Sequence, residues 1–320
     1  MQNLLNYTGW KKWCPTAEEY ADFEAEGKLP FELLENEYLI ICEDKELTRP
    51  IQQYCYENGQ LRRISWQSIK VPKIKLTELV PASKDEILAS KNDAKSLRKS
   101  AKKKNRYCNK EEIITAKNVE QACLIDLLHD RNKPNKLVLG CFGSGKTLLC
   151  IDAALEALNK GEFDKIIFIR NNVKVAGSFD IGYIPGSQDE KMYPFFANLV
   201  DHVGKSGIAQ MLAQDKLEIE PLSTIRGRNF SRSIIFVDEA ENLLLSNCKL
   251  ILGRCEDGSE VWWAGDISQR DLASFEKSKG VETMIKAFKG NPLFGYVYLT
   301  KSERGPVASM ADKLDEIEAK

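Results

Sequence analysis

The sequence lacks the signals of a membrane or secreted protein. No stretch approaches the roughly 18 consecutive apolar residues that a membrane-spanning helix needs. Residues 1–13 do not read as a signal peptide, because two lysines follow their short apolar stretch, whereas a signal peptide has its basic residues first. We therefore expect a cytoplasmic chain without a membrane partner.

Histidines and paired cysteines are also scarce. The two histidines, His129 and His202, have no cysteine cluster near them in the sequence, so a zinc site is not expected. The nine cysteines are odd in number, form no C-x-x-C pair and lie mostly in apolar stretches. That pattern is typical of reduced, buried, structural thiols and not of a disulfide framework.

An excess of one charge is missing from the chain as a whole. The net charge is −1, with 43% hydrophobic and 29% charged residues, which is ordinary for a globular protein and identifies no partner. Residues 91–106 depart from this balance, with eight lysines and arginines against one acid, Asp93. Such a stretch is either a solvated linker or helix, or a nucleic-acid contact.

The chain of 320 residues is long enough for one large core and a smaller companion domain. Residues 1–82 are predicted to form a small β-rich module, with Trp10 and Trp13 as anchors and an apolar strand at 38–42. Within it, Asn58-Gly59 separates two strand-like runs, 51–56 and 61–66, which is a strong hairpin signal. Residues 83–109 are predicted to be a basic linker or helix.

Residues 110–320 have the pattern of an α/β domain. A helix is predicted to begin near Asn118, and a second is predicted from Lys146 to about Asn159, ended by Gly161. Short, continuous apolar runs alternate with these helical stretches, as in a mainly parallel sheet covered by helices on both faces. The runs lie at residues 137–139, 166–169, 234–237, 261–264 and 296–299.

A glycine-rich loop follows the first of these runs and matches G-x-x-x-x-G-K-[ST] in full. Glycines let the backbone approach phosphates closely, and successive amides with the positive end of the next helix form an anion cradle. Lys146 is predicted to bridge the β- and γ-phosphates and Thr147 to ligate Mg²⁺. The predicted nucleotide-binding residues are Gly140, Cys141, Phe142, Gly143, Ser144, Gly145, Lys146, Thr147 and Leu148.

Two further strand ends carry polar residues. Asp238 and Glu239 follow the run at 234–237; Asp238 is predicted to hold Mg²⁺ through a water, and Glu239 to act as the general base. The alternative is an acidic loop after a core strand. Gly265-Asp266 and Gln269 follow the run at 261–264, and Gln269 could sense the γ-phosphate or orient the attacking water, unless the segment is a simple turn.

Three arginines are candidates for contacting the γ-phosphate. Arg226 and Arg228 precede the Asp-Glu strand, and Arg304 follows the last predicted strand. An arginine at that position contributes about 10³–10⁵ in rate. For each of them, a surface salt bridge is the alternative reading.

Taken together, these segments resemble the PhoH family of P-loop ATPases over roughly residues 110–320. The resemblance implies a RecA-like domain close to that of superfamily 1 helicases, with Gln121 reading the adenine edge and ATP and Mg²⁺ as cofactors. It further implies a ring-forming homo-oligomer, a hexamer, with RNA-directed or helicase activity, in which Arg304 or Arg226 could act on a neighbour's ATP. The resembling segments are Asn118-Val119-Glu120-Gln121, 140–147, 180–186 with Glu190-Lys191, 225–228, 237–242, Gly265-Asp266 with Gln269, and 299–304.

Residues 33–80 resemble the small β module that joins a PIN nuclease domain to the ATPase in some family members. The preceding region is too short for a nuclease and has no suitably spaced acids, so no nuclease activity is expected. Two departures stand out. Asn171-Asn172 replaces the usual Arg-Pro, and Glu241 replaces the usual Gln, which predicts an extra charge near the magnesium site.

Two classes of function remain open. The first is ATP hydrolysis coupled to remodelling of RNA or single-stranded nucleic acid in a homo-oligomeric ring. The second is an ATP-driven assembly or signalling switch that acts on a protein partner. A small-molecule kinase is disfavoured by the acid beside Asp238, and a GTPase by the lack of an N-K-x-D motif, since Asn159-Lys160-Gly161-Glu162 ends in the wrong acid.

Overall fold

The computed structural model describes residues 7–71, 112–170, 199, 202–222, 224–267 and 279–303. The basic stretch 91–106, the predicted linker 83–109, the segment 180–191 and Asn171-Asn172 lie outside the described residues, as do Gln269 and Arg304. In the part that is described, no helix is long and apolar enough to cross a bilayer. The eight described cysteines are free thiols.

The N-terminal part is a four-stranded sheet with one helix packed on it. Its strand order is β1-β2-β3-β4, with β1 parallel to β2 and the other pairs antiparallel. A separate two-stranded sheet, β5-β6, follows. The elements are β1 (Trp10–Trp13), α1 (Ala17–Glu26), β2 (Tyr38–Cys42), β3 (Pro50–Glu57), β4 (Gln60–Arg63), β5 (Ser68–Val71) and β6 (Glu112–Thr115).

The predicted hairpin is confirmed. Asn58 and Gly59 connect β3 to β4 with positive φ angles of 52° and 78°, which is the geometry that an Asn-Gly turn favours. Helix α1 was not predicted from the sequence. It begins with a capping box between Thr16 and Glu19, and its Phe23 packs edge-on against the buried Trp13.

A six-stranded parallel sheet forms the centre of the second part. Its order is β12-β7-β11-β10-β8-β9. If the edge strand β9 is left out, β7, β8, β10, β11 and β12 can be numbered 1 to 5 in chain order. Their order across the sheet is then 5-1-4-3-2, which is the RecA-like arrangement. The elements are α2 (Val119–His129), β7 (Asn135–Gly140), α3 (Lys146–Asn159), β8 (Lys165–Arg170), α4 (Lys205–Ala213), β9 (Leu217–Pro221), β10 (Ser233–Asp238), a 3₁₀ turn (Ala240–Asn242), α5 (Leu245–Leu252), β11 (Glu260–Gly265), α6 (Gly280–Phe288) and β12 (Phe294–Leu299).

Helices cover both faces of this sheet, which is why its strands read as continuous apolar runs. Every residue of β10 and β11 is buried. Successive side chains point to opposite layers: Trp262 packs in the layer of α2 and α3, and Trp263 in the layer of α5 and α6. All five strands predicted in this part are confirmed. The edge strand β9 was not predicted, because Glu218 and Glu220 interrupt its apolar pattern.

The N-terminal sheet packs directly on the second part, and the two share one hydrophobic core. Tyr38, in β2, belongs to the same buried cluster as Leu124 and Leu128 of α2, and its hydroxyl donates to Asp126. The small β5-β6 sheet packs on α3 through buried Ile69. Residues 119–128 of α2 are therefore all buried.

Residues 8–10, which we call the N-terminal strap, pair with β12 at the outer edge of the large sheet. The backbone N–H of Tyr298 in β12 donates to the Thr8 carbonyl at 2.9 Å, and the Trp10 indole donates to the Tyr298 carbonyl at 2.8 Å. Asn36 donates to the carbonyls of residues 291, 292 and 294 at 3.0–3.1 Å. Pairing the edge in this way satisfies backbone groups that would otherwise be open to other chains.

Gly9 is the tightest point of this strap and generates the first prediction. It has φ +74°, and a Cβ there would lie 1.8 Å from the Tyr296 carbonyl oxygen. Gly9→Ala should lower the free energy of unfolding by about 3 kcal/mol or more, from left-handed strain plus the clash. Gly27→Ala is the matched control, since φ is +68° with open space around the Cβ, and it should cost only about 1–2 kcal/mol. Urea titrations measure both, and equal losses would contradict the strap's tight fit.

Candidate nucleotide site

The glycine-rich loop joins β7 to α3 at the carboxyl edge of the large sheet. Gly143 and Gly145 have φ angles of 78° and 87°, a region that is strained for residues with a Cβ. Helix α3 begins at Lys146, and its N-cap residue, Gly145, provides no side-chain hydrogen bond to the first turn. The amides of that turn are thus available, with the helix dipole, for an anion.

Glycine at position 140 is required by packing. A Cβ on Gly140 would lie 2.8 Å from both the Cβ and the carbonyl oxygen of Leu299, and 2.9 Å from Ser144 Oγ. The register pairs Leu299 with Gly140, so β12 runs directly against the start of the loop. The absence of a side chain at position 140 is therefore required by packing against β12 as well as by the phosphate-binding motif.

Lys146 lies folded across the loop. Its Nζ donates to the carbonyl oxygens of Gly140 at 3.0 Å and Cys141 at 3.3 Å. The ammonium is consequently held over the concave side of the loop, where the motif predicts that phosphates bind. Thr147 and Leu148 follow on the first turn of α3 and face the same cavity. Phe142 stands on its rim, 46% exposed.

The loop forms one wall of a cavity of about 370 Å³, a size that suits a small ligand. Acidic side chains at the ends of β10 and β11 form the opposite wall. The parallel register brings the ends of β7, β11 and β10 side by side. The lining residues are Phe142, Gly143, Gly145, Lys146, Thr147, Leu148, His202, Asp238, Glu239, Glu241, Gly265 and Asp266.

Glu239 is held in a strained backbone conformation. It follows β10 with φ 53° and ψ 46°, in the left-handed region, and caps the 3₁₀ turn at Ala240–Asn242. Few residues other than glycine and asparagine adopt this region, and strain of this kind clusters at functional sites. Asp238 and Glu239 both line the cavity, and their roles as metal ligand and general base stay predictions.

Glu241 bridges the ends of two strands. Its Oε2 accepts from the Asp266 backbone N–H at 2.9 Å, and a Cβ on Gly265 would lie 2.4 Å from that oxygen. Burial, helped by the nearby Glu239 and Asp238 charges, raises the pKa of Glu241 to about 8. The carboxyl is therefore mostly neutral at pH 7 in the nucleotide-free chain. The extra charge expected at this position stays a prediction, and burial opposes it because desolvation disfavours the ionised form.

The charge of the cavity requires a cation before it can accept a polyphosphate. Asp238, Glu239 and Asp266 face a single lysine, Lys146, across the space. Among the described residues, no three metal-binding side chains cluster closely enough to hold a metal by themselves. Mg²⁺ commonly uses one or two protein ligands and takes the rest from phosphate and water. Asp238 and the Thr147 hydroxyl are suitable residues for that partial set.

Gln121 lies under the loop with both polar ends of its side chain engaged. Its Nε2 donates to the Ser144 carbonyl at 2.9 Å and its Oε1 accepts from the Lys117 backbone N–H at 2.8 Å, and the residue is only 4% exposed. In this arrangement it shapes the loop. Recognition of adenine by Gln121 would require these bonds to exchange, and it stays a prediction.

Of the candidate arginines, the two that the structure describes, Arg226 and Arg228, do not line the cavity. Arg228 is paired with Glu218 and Glu220 on the edge strand β9, at 2.6 Å for the first pair. Arg226 is exposed, on the turn just before Arg228. In the described part of the chain neither is placed to touch phosphates bound to its own loop. Gln269 and Arg304 lie outside the described residues, and their predicted roles stay predictions.

His202 is a site residue that the sequence did not indicate. It lines the cavity, although it lies far along the chain from every motif at the site. A lone histidine carries no local pattern that would place it here.

Comparisons with known proteins agree with this geometry. The chain matches the family model of PhoH-like proteins over residues 113–311. It is 34% identical over 209 residues to protein PhoH2 of Mycolicibacterium smegmatis, covering 64% of this chain and 48% of that protein. It is 29% identical over 244 residues to a PhoH-like protein of Synechocystis, covering 74% of this chain and 71% of that protein. The chain spans about half the length of the PhoH2 relatives it matches.

A search of solved structures finds the Pif1 helicase from Candida albicans, at 13% identity. That match covers 62% of this chain and 43% of the other, with a TM-score of 0.29. A score this low carries no weight for function.

The raised pKa of Glu241 generates a prediction for stability. Between about pH 4.5 and pH 8 the folded chain keeps a proton that the unfolded chain releases, so this group makes stability fall as pH rises through that window. Glu241→Gln should flatten this fall and raise the free energy of unfolding at pH 8 by about 2 kcal/mol or more. Urea titrations in EDTA at pH 6 and pH 8 measure it.

The control is Glu46→Gln, an exposed glutamate in the loop between β2 and β3. It should follow the wild-type pH dependence. Parallel profiles for Glu241→Gln and wild type would show that the buried carboxyl is ionised throughout.

Proposed function

The chain belongs to the PhoH-like family, and on that premise we propose that it binds a nucleoside triphosphate with Mg²⁺ and hydrolyses the terminal phosphate. One observation carries the proposal: a glycine loop at a helix N-terminus and a pair of strand-end carboxylates face each other across a single cavity. The loop is an anion site, and the carboxylates suit a metal and an attacking water.

Each residue has a defined task in this proposal. Lys146 exchanges its two carbonyl partners for phosphate oxygens, and the amides of the loop and of the first turn of α3 bind the rest of the polyphosphate. Thr147, and Asp238 through a water, would hold Mg²⁺, and the metal would supply positive charge beside the phosphoryl group. Glu239 accepts the proton of the attacking water. Asp266 and Glu241 line the same cavity as Glu239.

Two substitutions test this assignment. Lys146→Ala should abolish productive triphosphate binding, because no other lysine or arginine lines the cavity in the described part of the chain. Glu239→Gln should keep binding while lowering kcat by about 10²–10⁴-fold, the contribution of a general base. Calorimetry and phosphate release measure the two effects.

The control is Lys160→Ala, just beyond the other end of α3, where the lysine pairs with Glu156 on the surface. It should bind and turn over like wild type. Normal turnover by Glu239→Gln would show that another group activates the water.

The finer proposal is that hydrolysis drives remodelling of RNA or single-stranded nucleic acid by a homo-oligomeric ring, a hexamer, with ATP as the nucleotide. The resemblance of the motifs supports it, and so does the basic stretch 91–106. The position of Arg226 on an exposed turn away from its own cavity fits a contact with a neighbouring subunit's nucleotide. The alternative is an ATP-driven assembly or signalling switch with a protein partner.

Nucleic-acid dependence separates these two functions. ATP turnover should rise when single-stranded RNA or DNA is added, and solution mass should show an oligomer. RNA affinity should also fall steeply with salt, because phosphate contacts release counterions. Replacing Lys102, Lys103 and Lys104 with alanine should flatten that slope, whereas arginine at all three positions should preserve it. Turnover indifferent to nucleic acid would favour the protein switch.

A further inference from the structure

Glu120 is a buried carboxylate beside the glycine loop for which hydrolysis requires no role. It lies in the first turn of α2 and is 1% exposed. Its Oε2 accepts from the Thr300 backbone N–H at 2.7 Å, and its Oε1 accepts from the Thr300 hydroxyl at 2.7 Å. The carboxylate thus grips one residue with both oxygens, immediately after β12 ends.

The residues that Glu120 grips hold the loop in place. We call residues 299–303 the brace. The Leu299 carbonyl accepts from the Cys141 backbone N–H at 3.1 Å, and the Thr300 carbonyl accepts from the Cys141 thiol at 3.5 Å. Three residues before Lys146, the Gly143 carbonyl accepts from the Glu303 backbone N–H at 3.0 Å. The brace therefore contacts the loop at both its first and its middle positions.

The same turn of α2 supports the far end of the brace. Asn118 donates from its side chain to Glu303 at 2.6 Å, and Gln121 donates to the Ser144 carbonyl. Hydrogen bonds consequently join the loop to the brace, the brace to the start of α2, and the start of α2 to the loop. Such a network specifies one arrangement when all its members are satisfied.

A cation from the N-terminal sheet completes the network. Lys12, in β1, places its Nζ 3.3 Å from Glu120 Oε1, with its own side chain 15% exposed. The ammonium also lies 4.8 Å from the centre of the Trp10 ring, whose indole N–H donates to β12 two residues before Thr300. The N-terminal strand β1 thus supplies both the countercharge for Glu120 and a hydrogen bond to β12, the strand that leads into the brace.

We propose that Glu120 is a positioning residue for the nucleotide site and that its pairing with Lys12 makes nucleotide affinity depend on docking of the N-terminal strand. The inference rests on the proposed function, since it concerns what sets the nucleotide affinity of the same site. Without Lys12, a buried carboxylate is left without its countercharge, which weakens the grip on Thr300. A loosened brace lets the loop sample arrangements that do not bind phosphate, so apparent affinity falls in proportion to the competent fraction.

The test is calorimetry of the full chain with Mg²⁺ and a non-hydrolysable ATP analogue. Lys12→Met and Glu120→Gln should each raise the Kd by roughly 5- to 20-fold, a typical range for coupling between sites. The double variant should bind no more weakly than the weaker single variant, because both changes break one interaction. In turnover, KM should rise while kcat stays within about twofold, since a bound nucleotide orders the loop itself.

Lys165→Met is the matched control. That lysine is paired with Asp215 and Glu218 at the amino end of β8, on the opposite edge of the sheet from the cavity. It should leave the Kd unchanged. Lower melting temperatures in the Lys12 and Glu120 variants with an unchanged Kd would mean that the pair is only structural, and would overturn the inference.

A wild-type measurement keeps the inference testable if the variants fold poorly. Coupling is reciprocal, so the nucleotide analogue should slow amide hydrogen exchange in β1, whose Lys12 pairs with Glu120, more than in α1, which packs on the N-terminal sheet through Phe23. Equal slowing of β1 and α1 would contradict it. If the wild-type chain binds no nucleotide, the proposed function fails as well; if it binds and the variants bind equally, only the coupling fails.

Discussion

The cavity depends on how closely two parallel strands approach each other at Gly140. The end of β12 runs against the start of the glycine loop with no room for a Cβ, and the Leu299 carbonyl holds the Cys141 amide. A loop that must present its backbone amides to an anion cannot also use them for hydrogen bonds within the loop. Neighbouring elements therefore have to fix its shape. Here β12, the brace and the first turn of α2 do so, and the N-terminal strap in turn closes the edge of β12.

Electrostatics sets the second constraint. A wall of strand-end carboxylates opposite one lysine suits a metal-bound polyphosphate and repels a bare one. Glu241 limits that repulsion, because burial keeps its carboxyl mostly protonated near neutral pH, where it acts as a neutral bridge between β10 and β11. The glutamate at this position therefore adds less than a full charge to the cavity near neutral pH.

Local signals in the sequence predicted much of this molecule. The five buried strands are continuous apolar runs, the Asn58-Gly59 turn has its own backbone preference, and the loop motif carries its chemistry in adjacent residues. The parts that were missed depend on distant contacts. Strand β9 becomes a strand because its glutamates pair with Lys165 and Arg228, and α1 is short and polar, with only Phe23 buried. His202 reaches the cavity through the fold alone, and the role of Glu120 exists only once Lys12 and Thr300 meet it.

The most direct test of the account is a crystal structure of the chain with Mg²⁺ and a non-hydrolysable ATP analogue. Phosphate oxygens should lie within hydrogen-bonding distance of the backbone amides of residues 143–147, with Lys146 turned away from the Gly140 carbonyl to meet them. The metal should lie between Thr147 and Asp238, with Glu239 facing the terminal phosphate. Nucleotide bound elsewhere, or phosphates held without the loop amides, would contradict the assignment of this cavity.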